Sequence, residues 1–359
     1  MNPSQTAIKI RFGHLLPMRG EEVEDGELIV ERGKVKSIGP RSPETFDGLT
    51  IDLSDCLVLP GFVNAHCHLA LSALRGRVPK TDKFADWVLS LIEQDQAVSR
   101  EERIRCLRQG AEDLIRSGVV TLADYLAMPE LLEEYAALPF RQIVFLEALG
   151  FKGSVAETTV ERLEAVLKTA APQNKLLKLG LAPHAPYSTS PALYRGLRDL
   201  ADKYGCPFSS HVAEIPEEIK FLQDGGGALY DLLQNRRVYD DAWRPPGKSP
   251  LQYLDDLGVL DSLAAVHLNH IENDIPLMAD KLAAGIFCPG SSRWFGRKRW
   301  MPVRGLLDGG VPVGIGTDSL ASNDSLNFFE ELRTAEEMLP NCGRREILEM
   351  ATWRGAEAL

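Results

Sequence analysis

Apolar and polar residues alternate at every second position near the start of the chain. Ile8–Phe12, Glu27–Glu31 and Val35–Ile38 read as short strands, divided by turn signals at Asp25-Gly26-Glu27 and Arg32-Gly33-Lys34. The spacing predicts a small antiparallel sheet within residues 1–57. After the apolar run Cys56–Pro60 the rhythm changes, and β-branched or apolar runs alternate with amphipathic helical stretches. Eight strands are expected: Phe62–His68, Val119–Tyr125, Gln142–Leu149, Lys178–His184, Pro207–Glu214, Leu263–His270, Gly285–Pro289 and Val311–Asp318. Between the first two, Ile104, Leu107, Ala111, Leu114 and Ile115 fall at helical spacing and predict a helix over Arg100–Ser117. Eight strand–helix units over residues 58–359 predict an α/β fold of the (β/α)8 TIM barrel type, with an open doubly wound sheet as the alternative. Gly225-Gly226-Gly227 and Arg244–Ser249 punctuate a long excursion after the fifth strand. The second ends in Gly-Lys-Ser but lacks the earlier glycine and the strand that a phosphate-cradling loop needs, so it reads as a turn.

Composition narrows the partners. Of 359 residues, 44% are hydrophobic and 25% charged, and the formal net charge is −11. That balance argues against a nucleic-acid backbone or an anionic membrane surface as the main partner. A small-molecule substrate is expected, and a homo-oligomer is compatible. No apolar stretch approaches the length of a bilayer span. The opening MNPSQTAIKI lacks a charged-then-apolar signal, so a cytoplasmic location is expected. Six cysteines fall in no Cys-x-x-Cys spacing and are expected as free, mostly buried thiols.

Six of the seven histidines, namely His66, His68, His184, His211, His267 and His270, fall at or near predicted strand ends, whereas His14 reads as a packing or surface residue. Barrels of this kind carry their chemistry on that face. His66 and His68 alternate past Cys67, so both imidazoles point to one side and can grip one metal ion. Coincidental His-x-His pairs are common, but His211 ends the fifth strand and Asp318 the eighth. Three imidazoles and a carboxylate leave one position open for water, which suits a catalytic rather than a structural metal. Glu214, just past His211, can overhang such an ion without binding it; a solvated loop carboxylate is the plain alternative. His267 and His270 lie three residues apart in one predicted strand and should face opposite sides. His267, where the apolar run Leu263–Val266 ends, is expected to face the axis, and His270 to hold the loop.

The run LPGFVNAHCHLALSALRG resembles the opening barrel strand of the amidohydrolase superfamily. HVAE, VHLNH and GTDSLASNDSLNFFEELR resemble its deaminase and chlorohydrolase branch, which includes S-adenosylhomocysteine/methylthioadenosine, aminodeoxyfutalosine, guanine and cytosine deaminases and triazine hydrolases. The resemblance covers nearly the whole chain. It implies one divalent metal ion, zinc first and iron second, held by His66, His68, His211 and Asp318. It assigns proton transfer and polarisation to Glu214 and His267, with Asp318 sharing the proton work. His184, in APHAPYSTSP, resembles the branch's substrate-contacting histidine, and Trp87 matches an aromatic often near the substrate. No fourth-strand lysine suits the carbamate bridge of the two-metal members. The family completes a small amino-terminal β-sandwich with strands that follow the barrel, whereas this chain stops at Ala358-Leu359, so the sandwich is expected to be incomplete.

The function expected is hydrolytic deamination of an amino-substituted heterocycle, with a purine nucleoside-like substrate. A ring-opening amidase or halide-displacing triazine hydrolase is the alternative, and a non-catalytic metal-stabilised scaffold the reading from another class. Arg75 and Arg293 supply positive charge near presumptive loop ends and are candidate substrate contacts. The aromatic–basic run Ser291–Trp300 reads either as a phosphate or carboxylate site or as a solvated charged face.

Overall fold

The structure is a computed structural model that describes residues 7–169, 175–271, 273–281 and 283–359; the first six residues of the opening read for a targeting signal lie outside them. It divides into two compact units, Met1–Gly61 and Phe62–Leu359.

The first unit is one four-stranded sheet: β1 (Ile8–Leu15), β2 (Val23–Glu31), β3 (Lys34–Pro40) and β4 (Leu49–Val58), in the order β3-β2-β1-β4. Alternation buries Phe12, Leu15 and Leu28 together. The sheet is mixed rather than wholly antiparallel, because β1 pairs β4 in parallel. Only the end of β4 had an apolar signal; Asp52, Ser54 and Asp55 interrupt the rest. A single sheet is present among the described residues where the resemblance implies a sandwich.

Among its described residues the second unit carries eight parallel strands in two hydrogen-bonded sets. The first is β5 (Phe62–Cys67), β6 (Val119–Leu126), β7 (Arg141–Ala148) and β8 (Leu177–Pro183), paired in that order. The second is β9 (Ser209–Val212), β10 (Ala264–His267), β11 (Ala284–Phe287) and β12 (Val313–Ile315), again in order. All eight expected strands are there, the last four shorter than their apolar runs. An isolated bridge joins Leu181 to Phe208, and another joins Cys67 to Asp318. The Asp318 N–H donates to the His66 carbonyl at 3.1 Å, and the His211 N–H to the His184 carbonyl at 2.9 Å.

Helices separate the strands as the period-3.6 pattern requires. The one at Arg100–Arg116 begins at Ser99, whose hydroxyl accepts the Glu102 N–H at 3.2 Å. Arg244–Ser249 forms neither helix nor strand, and Ser249 caps the helix Pro250–Asp256. All six cysteines are free, three of them buried. No helix among the described residues is long and apolar enough to cross a membrane.

One buried side chain fastens β5 to the end of β12. Asn64 is fully buried; its Nδ2 donates to Thr317 Oγ1 at 2.8 Å, and its Oδ1 accepts the Thr317 N–H at 3.1 Å. Asn64→Ala strands that N–H in the interior and is expected to lower stability by about 1–3 kcal/mol in chemical denaturation. Unchanged stability would contradict this role.

Candidate active site

The strands end in one cluster of polar groups. His66 leaves β5 fully buried, and His68 follows one residue past the strand, as the cap of a short helical turn, Leu69–Leu74. Their rings stand 4.8 Å apart, and His211, from β9, lies 5.0 Å from His66 and 5.5 Å from His68 by ring centroid. One nitrogen from each of the three falls within 4.8 Å of the others. The same spacing holds for His66, His267 and Asp318. Asp318 Oδ1 is 3.6 Å from His66 Nε2 and 3.9 Å from His68 Nε2.

Backbone geometry explains why these groups meet. His267, Leu268 and Asp318 all have positive φ (74°, 51° and 58°), a left-handed conformation that non-glycine residues seldom adopt. The turn at Asp318 lets its carboxylate accept the Ser319 N–H at 2.8 Å and the Ser322 hydroxyl at 3.1 Å. The turn at His267 ends β10, so strand alternation stops there. His267 is buried at the cluster, while His270 is half-buried and lines a different cavity with Glu217, Arg297, Lys298 and Arg299. The separation of the two histidines thus comes from the left-handed turn, not from opposite faces of one strand.

The donor set fits a divalent cation. Both ring nitrogens of His66 are buried without a hydrogen-bond partner, a costly arrangement unless they serve another group. The His211 Nδ1–H donates to the His184 carbonyl at 2.9 Å, which leaves Nε2 with a free lone pair. Burial pushes His66 and His267 down to about 3, and burial likewise holds His68 well below the usual imidazole range. Neutral imidazoles are the form that binds metal. Burial works against the Asp318 charge, but the surrounding imidazoles of His66, His267 and His68 together outweigh that and hold the carboxyl well below the ordinary range. Three nitrogens and one carboxylate can hold one ion with a position to spare.

Glu214 sits beside this set. Its Oε2 is 3.9 Å from His267 Nε2, and Arg297 donates to Oε1 at 2.5 Å. Burial raises its pKa, opposed first by the Arg297 charge. Its position is fixed from beneath by Glu218, whose two oxygens accept the N–H groups of Ala213 and Glu214 at 3.0 and 3.1 Å.

A cavity of about 380 Å³ opens over the cluster, lined by His68, His184, His211, Glu214, His267 and Asp318 at its floor and by Trp87, Leu91, Leu232 and Phe295 higher up. Trp87 lines it, its Nε1–H donating to the Ala321 carbonyl at 3.3 Å. Arg75 and Arg293 are not among its lining residues: Arg75 stands 3.8 Å from Asp113, and Arg293 pairs with Glu337. Each had a nearer carboxylate that sequence spacing does not reveal. Two groups at the site were not among the candidate site residues, one of them falling only within a set of basic residues near loop ends. Arg297 came from the ambiguous basic run and packs its guanidinium 4.5 Å from the Phe295 ring centroid. Glu147, at the end of β7, meets the same test of a polar residue at a strand end that picked out the histidines. A larger cavity, about 670 Å³, lies among strand starts such as Leu177, Phe208 and Ala264, and no histidine lines it.

The amidohydrolase family model matches residues 57–359, and the chain belongs to that family. It is 29% identical to a 5-methylthioadenosine/S-adenosylhomocysteine deaminase of Pelotomaculum thermopropionicum, over 98% of this chain and 80% of that protein. It is 28% identical to an aminodeoxyfutalosine deaminase of Deinococcus radiodurans, over 94% of this chain and 80% of that protein. Its fold matches that of a Xanthomonas campestris adenosine deaminase crystallised with bound zinc. The TM-score is 0.82 at 24% identity, over 99% of this chain and 81% of the other.

A single donor set predicts about one divalent ion per chain by elemental analysis. Chelation should lower the melting temperature, and added zinc should restore it, because the ion binds the folded state. Two ions per chain, or a melt indifferent to chelation, would overturn the assignment.

Proposed function

We propose that this chain is a hydrolytic deaminase of an amino-substituted heterocycle of the nucleoside-like class. In this reading residues 58–359 form the hydrolase domain, a (β/α)8 barrel closed through the Leu181–Phe208 and Cys67–Asp318 bridges. Eight parallel strands in unbroken order and the fold likeness to an adenosine deaminase support that architecture. The deaminase names of the relatives support the reaction. The observation that carries the proposal is the meeting of Glu214 and His267, a proton-transfer pair 3.9 Å apart, with a metal donor set on one cavity floor. A structural metal site has no use for such a pair.

His66, His68, His211 and Asp318 would hold the ion, zinc in the first instance. When bound it supplies a Lewis acid that draws the pKa of water towards neutrality. The chain's own groups move the protons. Asp318, assisted by His267, takes one from the attacking water. Glu214 gives its proton to the ring nitrogen beside the attacked carbon, carries the proton held by Asp318 to the departing amino group, and regains its own from the hydroxyl of the adduct, since ammonia leaves far more readily than amide ion. Acid–base help of this kind is worth about 10²–10⁴-fold. His184 and Trp87 would face the rest of the substrate.

Ammonia release from adenosine, 5′-methylthioadenosine and S-adenosylhomocysteine tests the reading directly. Glu214→Gln should keep its metal and lose turnover by roughly 10²-fold or more; loss of metal instead would make Glu214 a ligand. His267→Ala should likewise abolish turnover with the fold intact. His270→Ala should cost mainly stability, about 1–2 kcal/mol. A dead His270→Ala with an unchanged melt, beside an active His267→Ala, would reverse the two roles.

A further inference from the structure

Glu147 is a buried carboxyl that the deamination scheme does not use. It is the penultimate residue of β7, in the sequence Phe145-Leu146-Glu147-Ala148, is 7% exposed, and lines the cavity together with His184 and His211. Its Oε1 is buried and has no hydrogen-bond partner. Oε1 stands 3.8 Å from His211 Nδ1, too long for a hydrogen bond, and that nitrogen already donates to the His184 carbonyl. A buried acceptor left unmade is expensive, and native proteins keep one mainly where something else completes it.

Two kinds of group could do so. A second metal ion is suggested by the grouping of Glu147, His184 and His211, with donor atoms within 4.8 Å of one another. Chemistry argues against it. His211 Nδ1 carries the proton it gives to the carbonyl, and His211 Nε2 is the nitrogen that the first donor set requires. His184 Nδ1 is engaged with the Ser188 hydroxyl at 2.6 Å. What remains, one carboxyl and one imidazole nitrogen, is a poor site for an ion and a good one for an organic ligand. Nδ1 lies on the side of the His211 ring away from Nε2. Glu147 therefore stands on the side of His211 away from the nitrogen that the first donor set requires.

Resting on the deaminase reading, we propose that Glu147 is a substrate-contacting specificity residue, accepting a hydrogen bond from an N–H or O–H donor of the bound substrate. His184, beside it, presents its second ring nitrogen to the same part of the ligand. A site built around an unmade hydrogen bond discriminates strongly against ligands that cannot complete it.

The test compares zinc-loaded wild type, Glu147→Gln and Glu147→Leu, with calorimetric binding of adenosine and 5′-methylthioadenosine and steady-state ammonia release from both. Glu147→Leu removes the acceptor while filling the space. It should weaken binding and lower kcat/KM by roughly 10- to 100-fold, with one metal ion per chain retained. Glu147→Gln keeps an acceptor and should recover part of the loss. Unchanged binding and kinetics in Glu147→Leu would overturn the proposal. So would two ions per wild-type chain falling to one in that variant, since Glu147 would then be a ligand. Failure of the wild type to release ammonia from any substrate tested sinks the deaminase reading, whereas the binding arm still decides whether Glu147 contacts the ligand.

Discussion

Just past β12, at Gly316, the backbone passes so close to β5 that a Cβ would lie 2.6 Å from the Cβ of His66 and 2.9 Å from its backbone nitrogen and oxygen. Only glycine allows that approach, and the site depends on it. With the two segments in contact, Asn64 can bond both the N–H and the hydroxyl of Thr317, and the next residue, Asp318, is delivered to the imidazoles of His66 and His68. The left-handed turn at Asp318 then aims its carboxylate inward, with Ser319 and Ser322 holding it.

Behind this contact stands a layer of buried acids that share the same task. Glu331 accepts the Gly290 N–H at 2.9 Å and bonds Asn323, whose amide also donates to the Thr317 carbonyl at 2.9 Å. Asp124 accepts the Leu69 N–H at 2.8 Å and the Tyr135 hydroxyl at 2.6 Å, steadying the chain just after His68. Glu218 does the same beneath Glu214. Burial raises Asp124 to about 7 and Glu218 and Glu331 to about 8. These carboxyls work as fixed acceptors for backbone and side-chain donors, so the groups facing the cavity are held in place rather than searching for position. Glu147, raised to about 8 by burial, differs from them in having no donor of its own.

The half with the eight parallel strands was legible because those strands are buried on both faces along most of their length and therefore read as apolar runs. The histidines stood out where those runs stop. β4 was not legible, since its Asp and Ser residues break the alternation while its pairing with β1 comes from sequence-distant hydrogen bonds. The grouping of His66, His68, His211 and Asp318 followed from strand-end placement and was reinforced by the family resemblance. The positive φ at His267 and Leu268 left no mark in the sequence, so the reason for separating His267 from His270 had to come from the structure. Arg75 and Arg293 failed as cavity residues because a long basic side chain takes whichever carboxylate lies nearest in space. Glu147, inside the expected strand Gln142–Leu149, meets the same strand-end rule and was not picked out.

The account stands or falls on one ion at the meeting point of β5, β9 and β12. X-ray diffraction from crystals of the zinc-loaded protein, recorded on both sides of the zinc absorption edge, locates that ion without reference to activity. The account predicts a single anomalous peak bounded by His66, His68, His211 and Asp318, at about 2.0–2.2 Å from each ligand atom, with Glu214 outside the coordination sphere. A peak centred between Glu147 and His184, or one with Glu214 as a ligand in place of Asp318, would contradict it.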